Sequence, residues 1–275
     1  MATLKESLKG ILTKKEQELV PNSFDTVGDL AIFAEFPPEL NRKEKLIGNQ
    51  LLKITKNIKV VLKKTKKYSG KFRTPKLKII AGERRKETGL RENKTVMKVN
   101  PEKAYFSVRL ATERARINHL IKPGELVLVM FSGIGAYPLN ISKNTLAKEI
   151  YAVEINPWAH RYAEINIKQN KVANISLFLG DVRKVVPRLK KRFDRILMPL
   201  PRGGEVYLDV ALGASKKGSI IHFYDFLNEV DFNQAYAKVN NACKRAKKRC
   251  QTLRLVKCGQ FGPGIYRICV DFKIK

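Results

Sequence analysis

Leu126-Val127-Leu128-Val129-Met130-Phe131-Ser132-Gly133-Ile134-Gly135, then Tyr151-Ala152-Val153-Glu154-Ile155-Asn156-Pro157, then Leu177-Phe178-Leu179-Gly180-Asp181, is the stretch whose reading decides the fold. An apolar run ends in a turn of small residues. A second run ends about twenty positions later in an acid, and a third ends in Gly-Asp. Short apolar runs of this kind are the pattern of parallel strands, and open parallel sheets bind ligands outside the carboxyl ends of their strands. Glycines let the backbone approach a ligand, and Glu154 is placed to accept from a pair of ribose hydroxyls. Gly133-Ile134-Gly135 alone is a weak motif. The three strand ends in this order point to a nucleoside.

What the turn lacks narrows the choice of nucleoside. A dinucleotide fingerprint would need a third glycine where Pro138 stands, and no Gly-x-x-x-x-Gly-Lys-Ser/Thr loop occurs in the chain. A phosphate-free, positively charged nucleoside such as S-adenosyl-L-methionine fits better. The plain alternative is a parallel-sheet core whose turns happen to be small and acidic.

Working outward, strands are predicted at 126–130, 149–154, 175–179, 193–198 and 218–224, with helices at 157–170, 205–214 and 231–247. Pro157 behind Asn156 is a helix-start signal. Strands at 251–257 and 265–274 read as a closing hairpin that places one antiparallel strand at an edge. The fold class is therefore α/β, a doubly wound and mostly parallel sheet, preceded by a small α+β domain. In that smaller part, 25–36 reads as strand around a turn, 38–54 as helix, and 60–62, 76–81 and 95–99 as short strands. The expected organisation is an amphipathic helix over 1–20, a small basic domain over 21–104, a linking helix over 105–122 and a ligand-binding domain over 123–275.

Composition adds a partner class. The 275 residues hold 55 Lys and Arg against 25 Asp and Glu, a net charge of +30, which favours a polyanion, with nucleic acid the default. The surplus is clustered. From Lys53 to Lys86 there are fourteen basic residues and one acid, Glu83, and from Lys238 to Lys257 eight basic residues and no acid. Such blocks suit phosphates, so Lys63, Lys64, Lys66, Lys67 and Lys71 are candidate RNA contacts. No apolar run approaches the length of a membrane span, and residues 1–20 lack a secretory core, so a cytoplasmic protein is expected; a monomer is a separate expectation. Cys243, Cys250, Cys258 and Cys269 have no zinc spacing and read as buried thiols, a disulfide being possible but disfavoured in that compartment. His119, His160 and His222 form no metal constellation. His222 is nearest the expected cleft and reads as a packed core residue.

Several segments are collinear with a known family. They are Ser23-Phe24-Asp25-Thr26-Val27-Gly28-Asp29-Leu30, Gly70-Lys71-Phe72-Arg73, Ala104-Tyr105-Phe106-Ser107 with Arg109-Leu110 and Glu113-Arg114, the turn at 131–135, and Glu154-Ile155-Asn156-Pro157. Gly180-Asp181-Val182-Arg183, Arg195-Ile196-Leu197-Met198-Pro199-Leu200-Pro201 and Asp271-Phe272 complete the set. Together they resemble the archaeal and eukaryotic tRNA methyltransferases that modify N1 of guanosine 37, beside the anticodon, and their wyosine-pathway relatives.

The resemblance implies a class I S-adenosylmethionine fold behind an RNA-contacting domain, with the tRNA anticodon stem-loop as substrate. The family's cofactor contacts would fall on Tyr105, Arg109, Arg114, Phe131, Glu154, Ile155, Asp181, Val182 and Leu200. Its catalytic arginine falls on Arg73, its acidic base on Glu113, and its base-orienting motif on Pro199. Guanine N1 must lose a proton before it attacks a methyl group, so a carboxylate in reach is required, and a guanidinium can stabilise the charge that grows on O6. Taken as residues alone, Arg73 is one more phosphate contact and Glu113 an intrahelical partner of Arg109 or Arg116.

Three departures stand out. Pro199-Leu200-Pro201 replaces the family's Asn-Leu-Pro, and proline offers neither a side-chain amide nor a backbone donor. This proline resembles the archaeal branch that also carbon-methylates 4-demethylwyosine. Val129 stands where an acid is common, and the usual additional N-terminal domain is not found in this stretch. The competing expectations are the sister aminocarboxypropyltransferase, which uses the same cofactor, and a non-catalytic RNA-binding protein on a methyltransferase fold.

Overall fold

The first turns of the chain are set by two capping boxes. Thr3 with Glu6 opens α1 (Leu4–Ser7), and Thr13 with Glu16 opens α2 (Lys14–Leu19). The single helix expected over 1–20 is thus two short ones, because Gly10 at φ 76 breaks the helical path between them. The computed structural model describes residues 3–200 and 202–275, with the side chains of Lys67, Tyr68 and Ser69 outside the description. The chain divides into two compact units, Met1–Arg91 with Val96–Val108, and Glu92–Thr95 with Arg109–Lys275.

In the first unit, β1 (Asp25–Val27) turns into β2 (Leu30–Phe33), and a 3-10 turn over Pro38–Lys43 leads into α3 (Glu44–Ile54). Then come β3 (Val60–Ser69) and β4 (Thr74–Gly82), giving a sheet of order β1-β2-β3-β4 in which only β2 and β3 run parallel. Leu4, Leu8, Leu12 and Val20 join Phe33, Leu40, Ile47, Leu51 and Val61 in its core, so the first twenty residues are part of this unit. β5 (Thr88–Glu92) and β6 (Thr95–Val99) follow as a two-stranded sheet. Asn93 and Lys94, at φ 45 and 64, form its two-residue turn, and this tip is counted with the second unit.

The second unit begins with α4 (Ala111–Leu120), which the division assigns to it rather than to a separate linker. β7 (Leu126–Met130), α5 (Ala136–Asn144), β8 (Glu149–Glu154), α6 (Pro157–Asn170), β9 (Ile175–Leu179), α7 (Val182–Arg188) and β10 (Phe193–Met198) come next. They are followed by α8 (Leu208–Ala214), β11 (Ser215–Asn228), α9 (Asn233–Arg245), β12 (Cys250–Gly262) and β13 (Ile265–Ile274). Sheet order is β12-β13-β11-β10-β7-β8-β9, with β9, β8, β7, β10 and β11 parallel. The reversed strand is β13, set between β11 and the edge strand β12. Strand order reverses direction at β7, between β8 and β10, and that is where such sheets open a ligand crevice.

Two helices escaped the sequence reading. α5 carries Pro138 in its first turn and α7 carries Pro187, so neither shows a clean helical pattern. Ile117, Val127, Tyr137, Ile150, Leu197 and Tyr224 form one core cluster, and Val153, Phe193, Ile196, Phe223, Val239 and Phe272 belong to another. Burial of each large apolar side chain is worth about 1.5–3 kcal/mol. Cys243 and Cys250 are joined in a disulfide that links α9 to β12, which corrects the expectation of four free thiols. A turn returning α9 onto the sheet brings their Cα atoms to 6.3 Å. Cys258 and Cys269 are free. Among the described residues no helix is long and apolar enough to cross a membrane.

Candidate active site

The turn after β7 is built on left-handed backbone. Phe131, Gly133 and Gly135 stand at φ 60, 58 and 83. For a bulky residue such as Phe131 this conformation is strained, and strain of this kind gathers at functional sites. Its ring meets Tyr207 edge-on at 5.0 Å. Gly135 begins α5, where a Cβ would lie 3.3 Å from the Ala163 Cβ, so the turn sits hard against α6.

Glu154 ties this turn to the end of β8. Its carboxylate accepts from the Gly133 N–H at 2.7 Å and from the Asn156 N–H at 2.8 Å. The side chain is almost enclosed, the residue being 8% exposed. Burial raises its pKa above the usual carboxylate value, against the pull of the backbone donors. Ile155 follows half-buried, and Asn156 caps α6 by accepting from the Trp158 N–H at 3.0 Å. One strand further, the Gly180 N–H donates to the Glu154 carbonyl at 2.8 Å. Asp181 caps α7 and accepts from the Arg183 N–H at 2.9 Å, and the Arg183 guanidinium beside it holds its carboxyl below the usual range. Val182 is buried. After β10, Pro199 and Leu200 are half-buried, and a Cβ on Gly204 would lie 2.3 Å from the Leu200 carbonyl oxygen. Pro201 lies outside the described residues.

Phe131, Glu154, Ile155, Asp181, Val182, Pro199 and Leu200 therefore stand at the carboxyl ends of four neighbouring strands, β7 to β10. The residues fit a nucleoside. A buried carboxylate faces the turn, and the Ser132 hydroxyl is buried there without a hydrogen-bond partner. A polar ligand group would satisfy such a hydroxyl.

The rest of the candidate set is distributed differently. Arg109 is exposed in the 3-10 turn that precedes α4. Arg114, only 2% exposed, is clamped by Glu92, its Nε and Nη2 donating at 2.5 Å each, and it lies over the Tyr137 ring. Nothing in the sequence pointed to Glu92, which meets Arg114 only through the fold. Tyr105 and Arg73 lie in the first unit, Tyr105 exposed and Arg73 half-buried at φ 50 in the β3–β4 turn.

Glu113 is buried on α4 and belongs to a polar network that sequence reasoning missed. Arg116 donates to it twice at 2.7 Å, so the intrahelical pair weighed for Glu113 is formed, and the Tyr224 hydroxyl donates at 2.5 Å. Arg116 also donates to Asp271 at 2.6 Å, and Arg254 does so at 2.8 Å. His222, fully buried, donates from Nδ1 to Asp271 at 2.6 Å and accepts at Nε2 from Arg195, which is itself paired with Glu125. Burial pushes the His222 pKa down, leaving a neutral imidazole. Burial would raise Asp271, but His222 and Arg116 hold it well below its ordinary value. His222, Cys269 and Asp271 bring ligand-type atoms within 4.8 Å, yet His222 and Asp271 are already engaged by guanidinium groups and the Cys269 thiol donates to Asp271 at 3.2 Å.

The basic block needs one correction. Lys63 does not face solvent: it is 8% exposed, donates to Asn41 at 2.5 Å and pairs with Glu44 at 2.7 Å. Strand alternation turns it inward, where it neutralises a carboxylate. Lys66 and Lys71 are exposed and Lys64 is half-buried, while the Lys67 side chain lies outside the description.

Comparison with known proteins agrees with this architecture. The TRM5/TYW2 methyltransferase domain model matches residues 88–253, and the TYW2 N-terminal domain model matches residues 4–85. The chain is 36% identical over 259 residues to the tRNA (guanine(37)-N(1))-methyltransferase Trm5b of Pyrococcus abyssi, spanning 94% of this chain and 76% of that relative. It is 32% identical to the tRNA (guanine(37)-N(1))/4-demethylwyosine(37)-methyltransferase Taw22 of Nanoarchaeum equitans, over 90% of this chain and 98% of the relative. A solved complex of aTrm5 and tRNALeu superposes with a TM-score of 0.86 at 31% identity, covering 100% of this chain and 78% of that one.

Proposed function

The chain belongs to the TRM5/TYW2 methyltransferase family, and from that premise we propose that it methylates N1 of guanosine 37 in the anticodon loop of tRNA, acting as a cytoplasmic monomer. The observation that carries this reading is the enclosed Glu154 carboxylate, bonded to the Gly133 turn at the crevice of a methyltransferase sheet. S-adenosyl-L-methionine is the cofactor, and when bound it supplies an electrophilic methyl group on a sulfonium centre.

The chain's own groups account for the remaining requirements. Glu154 accepts from the ribose hydroxyls and Asp181 from the adenine amino group. Phe131, Ile155, Val182 and Leu200 supply apolar walls, and Ser132 a polar contact. Arg109 and Tyr105 are proposed as further cofactor contacts, while Arg114 acts from its Glu92 clamp. Glu113 takes the N1 proton, which leaves N1 with the lone pair that attacks. Arg116 bridges Glu113 and Asp271, so neutralising Glu113 does not strand a buried guanidinium. Arg73 stabilises the negative charge that develops on O6. Lys64, Lys66, Lys67 and Lys71 are proposed to meet phosphates.

Pro199 favours a second reading as an added activity. It removes the amide that would orient guanine alone, and a less selective pocket suits carbon methylation of 4-demethylwyosine. Mass spectrometry of tRNA incubated with labelled cofactor tests all readings together. A methyl group on N1 of guanosine 37 supports the proposal. An aminocarboxypropyl gain assigns the sister transferase, and no gain with retained tRNA binding assigns a non-catalytic RNA-binding protein.

A further inference from the structure

β11 does not stop where its neighbour does. Met198, the last residue of β10, pairs with Phe223, and β11 then runs five residues further, to Asn228, still paired with β13. At about 3.4 Å per residue this β-ribbon overhangs the strand ends by ~17 Å. It begins at the level of the loop that carries Pro199 and Leu200.

One face of the overhang is a ladder of aromatic rings and guanidinium groups. Phe226 and Arg267 are cross-strand partners on β11 and β13, and the Arg267 guanidinium lies 4.9 Å from the Phe226 ring centre. Gly259 stands opposite Arg267 on β12 and offers no side chain. The register of β12 then shifts between Gln260 and Gly262, so Phe261 is the extra residue of a bulge. Bulges re-aim side chains, and here Phe261 meets Phe226 at 4.6 Å between ring centres, tilted by 47°. Arg202, from the loop after Pro199 and Leu200, places its guanidinium 4.9 Å from Phe261 and 5.7 Å from Phe226. Despite these contacts Phe261 remains 53% exposed.

Two acids near this face are each paired with a lysine, Asp225 with Lys238 and Glu229 with Lys257, which leaves Arg202 as the cation beside the exposed ring. One exposed ring, Phe261, backed by the half-buried Phe226 and flanked by Arg202, with Arg267 only 9% exposed beneath them, matches a ligand that is both anionic and flat. Single-stranded nucleic acid has both properties, stacking its bases on aromatic and guanidinium planes while its phosphates meet cations.

We propose that Phe261 and Arg202, supported from beneath by Phe226 and the buried Arg267, form a stacking platform for an unpaired nucleobase of the substrate RNA, adjacent to the base being modified. The inference rests on the tRNA-methyltransferase reading and adds a second nucleotide contact to it. Arg202 links the two, since it stands two residues beyond Leu200. A base held here would fix the single strand on one side of the target and compensate for the orienting amide that Pro199 lacks.

Fluorescence anisotropy with an anticodon stem-loop RNA tests the proposal. The comparison RNA is the same stem-loop with abasic sites at the unpaired positions flanking the target. Phe261→Ala should weaken binding of the intact loop by ~5- to 150-fold, and binding of the abasic loop far less. Phe261→Trp should restore affinity, because a larger ring still stacks. Arg202→Gln gives an independent arm with the same selectivity for bases. Equal losses on both RNAs, or no loss in either variant, would overturn the platform. So would a change in oligomeric state by light scattering with RNA affinity intact, which would make the face a contact between copies of the chain. Cofactor titration of each variant controls for folding, and methyl transfer by the wild-type protein is measured separately. A wild-type protein with base-dependent binding but no transfer would sink the proposed function and leave the platform standing.

Discussion

Replacing Glu113 by Gln preserves side-chain shape and removes both charge and basicity, and the structure separates the two consequences. The carboxylate accepts two bonds from Arg116 and one from Tyr224. An amide oxygen can still accept from Tyr224, while its NH₂ group faces the guanidinium. One charge-assisted bond is therefore lost, worth about 1.5–3 kcal/mol of stability. The larger penalty of an unpaired buried charge is avoided because Arg116 keeps Asp271 at 2.6 Å. The expected thermal shift is about 3–12 °C for a unit of this size. The chemical step responds on another scale, since loss of a positioned general base costs ~100- to 10,000-fold in rate. Single-turnover methylation with both substrates saturating should collapse in a protein that still melts cooperatively and binds cofactor and tRNA. Raising pH should rescue the variant in part, because more guanine N1 is then already ionised. Tyr224→Phe removes one hydrogen bond to the same oxygen without touching the base and should cost far less rate. A Glu113→Gln protein that methylates at the native rate would refute the reasoning and leave Glu113 as a structural partner of Arg116.

Glu154→Ala should weaken S-adenosylmethionine by about 1.5–3 kcal/mol in calorimetry with tRNA affinity retained. Because burial raises the Glu154 pKa, wild-type cofactor affinity should itself fall on acidification, beginning above the ordinary carboxylate range, as the acceptor becomes protonated. Neutralising Lys64, Lys66 and Lys71 together should flatten the salt dependence of tRNA binding by about two to three units of log–log slope, and an unchanged slope would make this face plain solvated surface. Asp271→Asn should cost about 1.5–3 kcal/mol, because charge-assisted bonds are lost while Arg116 keeps Glu113 and Arg254 can turn to solvent, and denaturant melts measure it. The folded Asp271 pKa lies below its ordinary 3.8, so its stabilisation is complete above that value and fades as pH falls below it. The variant's melts should accordingly be flatter with acid than the wild type's. Reducing the Cys243–Cys250 disulfide, which closes a short loop, should cost about 2.5 kcal/mol, read as a lower melting temperature in reductant.

The sequence by itself determined the parallel strands and the order of their ends. Runs such as 126–130 and 196–198 are apolar throughout because both faces of the sheet are covered, and the residues at their carboxyl ends are local signals. The basic surplus, too, is a property of composition. α5 and α7 were not legible, since prolines inside them blur a helical period that packing against the sheet sustains. Lys63 looked like its neighbours in the basic block, and only the alternation of β3 against α3 turned it toward Glu44. The clamp of Arg114 by Glu92, the bridge from Glu113 through Arg116 to Asp271, and the meeting of Arg202 with Phe261 join residues from about 20 to more than 150 positions apart. No local pattern encodes such pairs. They exist because sheet order and register bring the groups together, and burial then makes leaving them unpaired too costly.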